Sequence, residues 1–344
     1  MSRSRRTAPL IRAALAALLA ALLHAAPARA LGPRDLGVII NTADPLSVAI
    51  GEYYVQARKI PPANIARVHF GYHRAILPAD EFAAIRKSVE AQLPASIQAY
   101  ALTWARPYRV DCMSVTSAFA FGFDTRYCAS GCVSTQLIAY YNSDRDRPYD
   151  ALHFRPAMSI AAANIALARA LIDRGVASDG TMPHGAAYLV MTGDRSRDVR
   201  TVGFADAQML VGDRIPIHLV NAPALENTND IMFYFLGAMR VPSLLTNRFL
   251  PGAVGDHLTS YGGMLGDSTQ MDSLQWLEAG ATGSYGTVVE PCNFTAKSPN
   301  PGLLMRHYLD GETLIESYWK SVAMPGQGIF IGEPLAAPYR KARP

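Results

Sequence analysis

The first hundred residues alternate between short apolar runs and longer segments of helical periodicity, and this alternation restricts the fold more than any other feature of the sequence. "LGVIINT", centred on residues 37–42, is a β-branched run of the kind that forms a buried strand. "DPLSVAIGEYYVQARKI" follows. It opens on an acid and Pro45, as helix starts do, and places Val48, Ile50, Tyr53 and Tyr54 on one face. "ANIARVHF" is the next strand, "PADEFAAIRKSVEAQL" the next helix, with acids in its first turn, and "IQAYALTW" a third strand. Strand, helix, strand, helix, strand at this spacing predicts an α/β fold: a doubly wound, mostly parallel sheet with helices on both faces.

From about 105 to 158 the period breaks. The stretch mixes aromatics, cysteines, prolines and charge, which predicts a long ordered insertion, since loops of this length inside compact domains are usually functional or disordered and its aromatic content argues against disorder. Regularity returns with a helix at "SIAAANIALARALIDRG", a strand at "AAYLVMT", a helix around "TVGFADAQMLV", and strands at "IHLV" and "DIMFYFLG". No repeat, low-complexity tract or linker divides the chain, so residues 31–344 are expected to form a single α/β domain.

The first thirty residues stand apart. Arg3, Arg5, Arg6 and Arg12 precede the apolar "AALAALLAALLHAA", and "ARA" at 28–30 is a small-x-small cleavage site, so residues 1–30 read as a signal peptide cut after Ala30. The uninterrupted apolar run is shorter than the roughly 20 residues of a spanning helix, which leaves no stable membrane span after cleavage. The expected location is therefore exported, periplasmic or extracellular. Of 32 basic residues, five (the four above and Arg29) lie in this segment, leaving 27 against 28 acidic ones, a balance of −1. The formal charge of +4 thus belongs to the leader and gives no reason to expect a nucleic-acid partner.

All four cysteines, Cys112, Cys128, Cys132 and Cys292, follow the leader, into a compartment where disulfides persist. "YCASGC" favours a short-loop disulfide between Cys128 and Cys132; half a metal site or a redox pair is the other reading, but no second Cys/His pair at metal-ligand spacing follows. Cys112 and Cys292 stay unassigned, as a pair or as free thiols.

No P-loop, G-x-G-x-x-G after the first strand, H-E-x-x-H or G-x-S-x-G is present, so no cofactor or metal is expected. Asp194 and Asp198 in "TGDRSRDVR" follow a strand, where α/β sheets place ligands, yet Arg195, Arg197 and Arg200 favour a solvated loop of salt bridges. Ser284 in "TGSYG" is a weaker candidate, being flanked by turn-forming residues without an evident base.

The C-terminal third says more. "LPGAVGDHLTSYGG" presents His257 after an apolar segment, "TQMDSLQWLEAG" predicts a helix from Thr269 ended by Gly280, and "YGTVV" is a strand followed by Cys292. If the two apolar segments are neighbouring parallel strands, both side chains emerge at one carboxyl edge. A thiolate is nucleophilic and a thiol much less so, so an imidazole near Cys292 is what cysteine catalysis requires. Backbone N–H groups near Gly262, Gly263 or Cys292 would serve an oxyanion. The plainer readings are a buried His257 fixing a turn through Asp256, and a Cys292 that is inert or bonded to Cys112.

The segments "NTADPLSVAIGEYYVQARKIPPANIARVHF", "ALTWARPYRVDCMSVTSAFAFGFD", "ALIDRG", "LPGAVGDHLTSYGG", "GATGSYGTVVEPC" and "GETLIESYWKSVAMPGQGIFIGEPLAAPY" resemble a family of exported bacterial proteins found in genomes with the exosortase protein-sorting system. That likeness spans nearly all of the chain after the leader and brings no activity with it. A more distant likeness is to gingipain-type cysteine peptidases, whose caspase-like sheet ends in a His segment, a helix, a Cys segment, further helices and a final "GDP"-like strand. The corresponding pieces are His257, the helix from Thr269, Cys292, "ETLIESYWKSV" and "IFIGEPL". The departures are His257 between Asp256 and Leu258 where those peptidases place glycines, and Glu333 for their Asp. The likeness implies a caspase-like C-terminal arrangement and a hydrolase acting on protein or peptide substrates with Cys292 as nucleophile and His257 as base. The alternative is a non-catalytic binding or accessory protein of the cell envelope, using the aromatic insertion to hold a partner.

Overall fold

The computed structural model describes residues 30–341; the expected signal peptide, apart from Ala30, lies outside the described residues. In chain order the elements are β1 (Leu36–Asn41), α1 (Pro45–Arg58), β2 (Ile65–Val68), β3 (Ile76–Leu77), α2 (Ala79–Gln92), β4 (Ala99–Leu102), β5 (Arg109–Val110), β6 (Met113–Ser114), α3 (Val115–Phe121), α4 (Pro148–Leu152) and β7 (Ala157–Ser159). Then come α5 (Ile165–Ser178), β8 (Ala186–Met191), α6 (Phe204–Val211), β9 (Ile217–Asn221), β10 (Ile231–Gly237), β11 (Phe249–Leu258), α7 (Leu274–Glu278), β12 (Gly283–Thr287), α8 (Pro301–Leu309), α9 (Leu314–Ser321) and β13 (Gly328–Gly332).

Ten strands form one sheet in the order β2-β1-β4-β7-β13-β12-β11-β10-β8-β9, and β3-β5-β6 form a small second sheet. Every neighbouring pair in the large sheet is parallel except β12 with β13. The expected doubly wound α/β fold is present. β1 and β10 are buried along their whole lengths, as strands covered on both faces must be. On one face, Ile40 of β1 packs under Gly51 of α1 and Trp276 of α7 under Gly255 of β11, while Arg174 of α5 donates to the carbonyls of Leu277 and Ala281. On the other, Leu314 and Tyr318 of α9 lie over Gly283 of β12, and Gly302 of α8 packs against Ala207 of α6.

Local chemistry sets the helix starts. Asp44 accepts from the Leu46 N–H ahead of Pro45, Asn164 accepts from Leu167, and Thr313 with Glu316 forms a capping box on α9. Asn164 also explains a shift from expectation: "SIAAANIALARALIDRG" begins as strand β7 and its exit, and turns helical only after the cap. The stretch 105–158 is ordered, but part of it belongs to the core. Residues Val115–Ala120 of α3 are buried, Phe119 packs edge-on to Phe82 and Trp104, and β7 lies inside the sheet between β4 and β13.

The C-terminus completes the middle of this sheet. β13 pairs with β7 on one side and β12 on the other. Beyond it, the fully buried Glu333 carboxylate takes the Arg58 guanidinium and the Tyr54 hydroxyl, tying the end of the strand to α1.

Candidate functional site

β11 and β12 run parallel, with Val254 opposite Gly283, so the segments that follow them emerge at the same carboxyl edge. After β11 the chain folds back onto β12: the Gly263 N–H donates to the Thr287 carbonyl, and a β-carbon at Gly286 would collide with the backbone of Gly262 and Gly263. The glycines of "SYGG" and "SYG" are required by this close approach. The helix expected from Thr269 begins only at Leu274. Residues before it are held otherwise: Gln270 accepts from the Thr259 hydroxyl and the Tyr261 N–H, and the Met271 N–H donates to Met239.

His257 sits one residue before the end of β11, 3% exposed. Its Nδ1 accepts from the Trp276 indole at 2.9 Å, and its Nε2 donates to the Met271 carbonyl at 3.1 Å. Burial is the main cause that pushes its pKa down to about 4; the Met271 bond works against this, and the nearby charges of Arg200 and Arg197 add to it. The ring is therefore neutral at pH 7, with both nitrogens engaged. The space beside it is about 10 Å³, at most the room for one water. Asp256 points to the opposite face, into a buried ion pair with Arg200, and burial raises its pKa despite that partner.

Cys292 lies in the turn after β12, half-buried, with a left-handed φ of 53° and its N–H donating to the Glu290 carboxylate at 2.8 Å. Its sulfur is bonded to Cys132, 160 residues away in sequence. Cys112 is bonded to Cys128, so there is no free thiol among the described residues. This corrects the expected Cys128–Cys132 bridge: of the two cysteines of "YCASGC", Cys128 turns back to Cys112 and Cys132 reaches the distant Cys292. The structure thus places His257 at the end of β11 and Cys292 in the turn after its neighbour β12, but commits each to another partner, Trp276 with Met271 for one and Cys132 for the other.

A cleft of about 330 Å³ opens at this edge, between Ser196 and Arg197 after β8, Leu258–Ser260 after β11, and Glu290–Asn293 after β12, with Cys132 at its rim. A second cleft of about 420 Å³, lined by Arg109, Tyr261, Asp267 and Val289, also reaches Glu290. Arg197 spans the first: its Nε donates to the Thr259 hydroxyl and its Nη1 to Asp194. Asp198 is turned inward, accepting from the Thr192 hydroxyl and the Gly193 N–H. Ser284 is fully buried within β12 and out of reach of any substrate. Arg197, Thr259, Ser260 and Glu290 went unsingled in the sequence, though "TGDRSRD" directly after a strand was the available signal for Arg197. Among the described residues no group of three or more His, Cys, Asp or Glu is placed to hold a metal ion, and no helix is long and apolar enough to cross a membrane.

This sheet, with helices on both faces and a cleft at the carboxyl edge of β11 and β12, defines an α/β fold. A solved structure described as "Structure of Protease" superposes on it with a TM-score of 0.52 at 11% sequence identity, covering 90% of this chain and 80% of that one. The likeness is one of fold. No protein-family model and no curated protein matches the sequence.

Proposed function

We propose that the protein is an exported binding protein that holds extended peptide segments in the cleft after β11 and β12, on a protease-like fold whose candidate nucleophile is tied up. The observation that carries this reading is the Cys132–Cys292 disulfide at the wall of that cleft, which leaves an open groove without a free thiol in it. The two clefts meeting at Glu290 offer a length of edge suited to an extended chain, and Arg197, Ser260 and Asn293 supply polar partners for its backbone. Fold alone does not carry activity from the protease neighbour to this chain.

One observation favours a second reading. Cys292 is half-buried at the cleft, so reduction of its bridge to Cys132 would free a thiol where substrate enters. In that state Cys292 would attack an acyl carbon to form a thioester with release of the amine, and water would release the acid; His257 would first have to leave Trp276. Fluorescein-labelled, unfolded casein tests both readings. Binding measured by anisotropy, weakened tenfold or more in Ser260→Trp, with the casein left intact, is the expected result. Cleavage that needs reductant and disappears in Cys292→Ala and His257→Ala would instead establish the hydrolase, and absence of binding and cleavage in every state sinks both.

A further inference from the structure

Leu31, the residue after the expected cut, is unusually well housed for the start of a chain. Its side chain is 1% exposed, and its carbonyl accepts from Arg340 Nη2 at 2.8 Å. Its backbone nitrogen lies 3.1 Å from Oε2 of Glu316, a carboxylate that is fully buried in α9. That oxygen also accepts from the N–H and hydroxyl of Thr313 in the capping box, whereas Oε1, equally buried, has no partner among the described residues. No lysine or arginine among the described residues forms an ion pair with Glu316; the nearest candidate, Lys320, is paired with Glu312.

A lone buried carboxylate is costly in its charged form. With an amide at Leu31, burial raises the Glu316 pKa to about 7, helped by the charge of Glu312 and opposed by Thr313 and Lys320. What the pocket lacks is a cation at the position of the Leu31 nitrogen. Hydrolysis of the Ala30–Leu31 bond supplies one: water adds across the peptide bond, Ala30 leaves as a carboxylate, and the Leu31 nitrogen becomes a primary amine that takes up a proton.

We propose that Glu316 is a socket for the α-ammonium group of a chain beginning at Leu31, so that removal of the leader by a signal peptidase installs a buried ion pair and locks α9 to the chain start. The pair stands or falls independently of what the cleft binds. The groups facing it are Glu312 and Thr313 before and at the start of α9, Lys320 at its end, Tyr140 from the insertion, and Arg340 from the C-terminus. The sign of the pH effect follows. An α-amine has an unfolded pKa of about 7.7–8.0, and its carboxylate partner raises this in the folded state, so while Glu316 is ionised the stabilisation is complete below that range and is lost as pH rises through the raised value.

The experiment compares the chain of residues 31–344 with the same chain carrying Gly-Ser-Ala ahead of Leu31, each with Glu316 and with Glu316→Gln. With Glu316, the chain starting at Leu31 is expected to melt several degrees higher at pH 7, with the gap closing at alkaline pH and absent in Glu316→Gln. Its α-amine should be acetylated at least tenfold more slowly than in Glu316→Gln, as read by mass spectrometry of the N-terminal peptide. Equal melting temperatures for the two Glu316 chains, or an α-amine that reacts equally fast with and without Glu316, would overturn the proposal. Because the extended chain keeps Glu316, a folding defect of the glutamine variant does not decide the outcome.

Discussion

The imidazole of His257 sits between a donor and an acceptor that together fix its tautomer, Trp276 Nε1–H on one side and the Met271 carbonyl on the other. Trp276 does not accommodate an imidazolium, since protonation would set two N–H groups against each other at Nδ1, whereas the Met271 carbonyl accepts from Nε2 in either state. With a folded pKa near 4 against an ordinary 6.5, the neutral ring stabilises the fold fully above pH 6.5, and that contribution is lost as pH falls toward 4, by roughly 3 kcal/mol in all. His257→Ala should cost about 2–4 kcal/mol at pH 7, from the cavity and the stranded indole N–H. Urea unfolding of both proteins between pH 7 and pH 4.5 checks this: the difference between them should shrink on acidification, and a difference that stays constant would show that His257 does not titrate with folding. The sequence placed His257 at the end of an apolar strand but could not show Trp276 beneath it, because that partner comes from a helix whose start the local pattern misplaced.

Elements with their own caps and periods were legible. β1, α1, β2, α2 and β4 stand where the alternation of apolar runs predicts them, because Asp44, Pro45 and the acids after Pro78 mark the helix starts locally. β7 was not legible: it has three residues, and its place in the sheet is decided by β13, far along the chain, where Ile331 pairs with Ser159. The Cys132–Cys292 pairing was hidden for the same reason. Cys132–Cys292 joins the insertion to the turn after β12, and Cys112–Cys128 closes a local loop, separations of 160 and 16 residues. Chain-entropy reasoning gives about 5 kcal/mol for the first and about 3 kcal/mol for the second. Cys132→Ser with Cys292→Ser should therefore lower stability more than Cys112→Ser with Cys128→Ser, measured by guanidinium unfolding of the two double variants. The reverse order would mean that the long bridge closes over a part of the structure that remains ordered in the unfolded chain.

At the scale of the molecule, the large sheet is two runs of strands joined by one. Within the sheet, β2-β1-β4-β7 and β12-β11-β10-β8-β9 are hydrogen-bonded to each other through β13, and β13 is anchored in turn by Glu333 on Arg58 and Tyr54. A chain ending before Gly328 lacks that joint. It is expected to lose cooperative thermal unfolding and to expose apolar surface to a dye such as ANS, whereas truncation after Arg340 should leave both unchanged. A two-state melt in the shorter chain would show that the halves hold together without their bridge.

The position of β13 also sets when folding can finish. Whether the chain emerges from a ribosome or from a translocation pore, the joining strand arrives after every other strand of the sheet. Until those residues arrive, the two runs of strands lack the strand that pairs with both, so the ten-stranded sheet closes only when β13 takes its place.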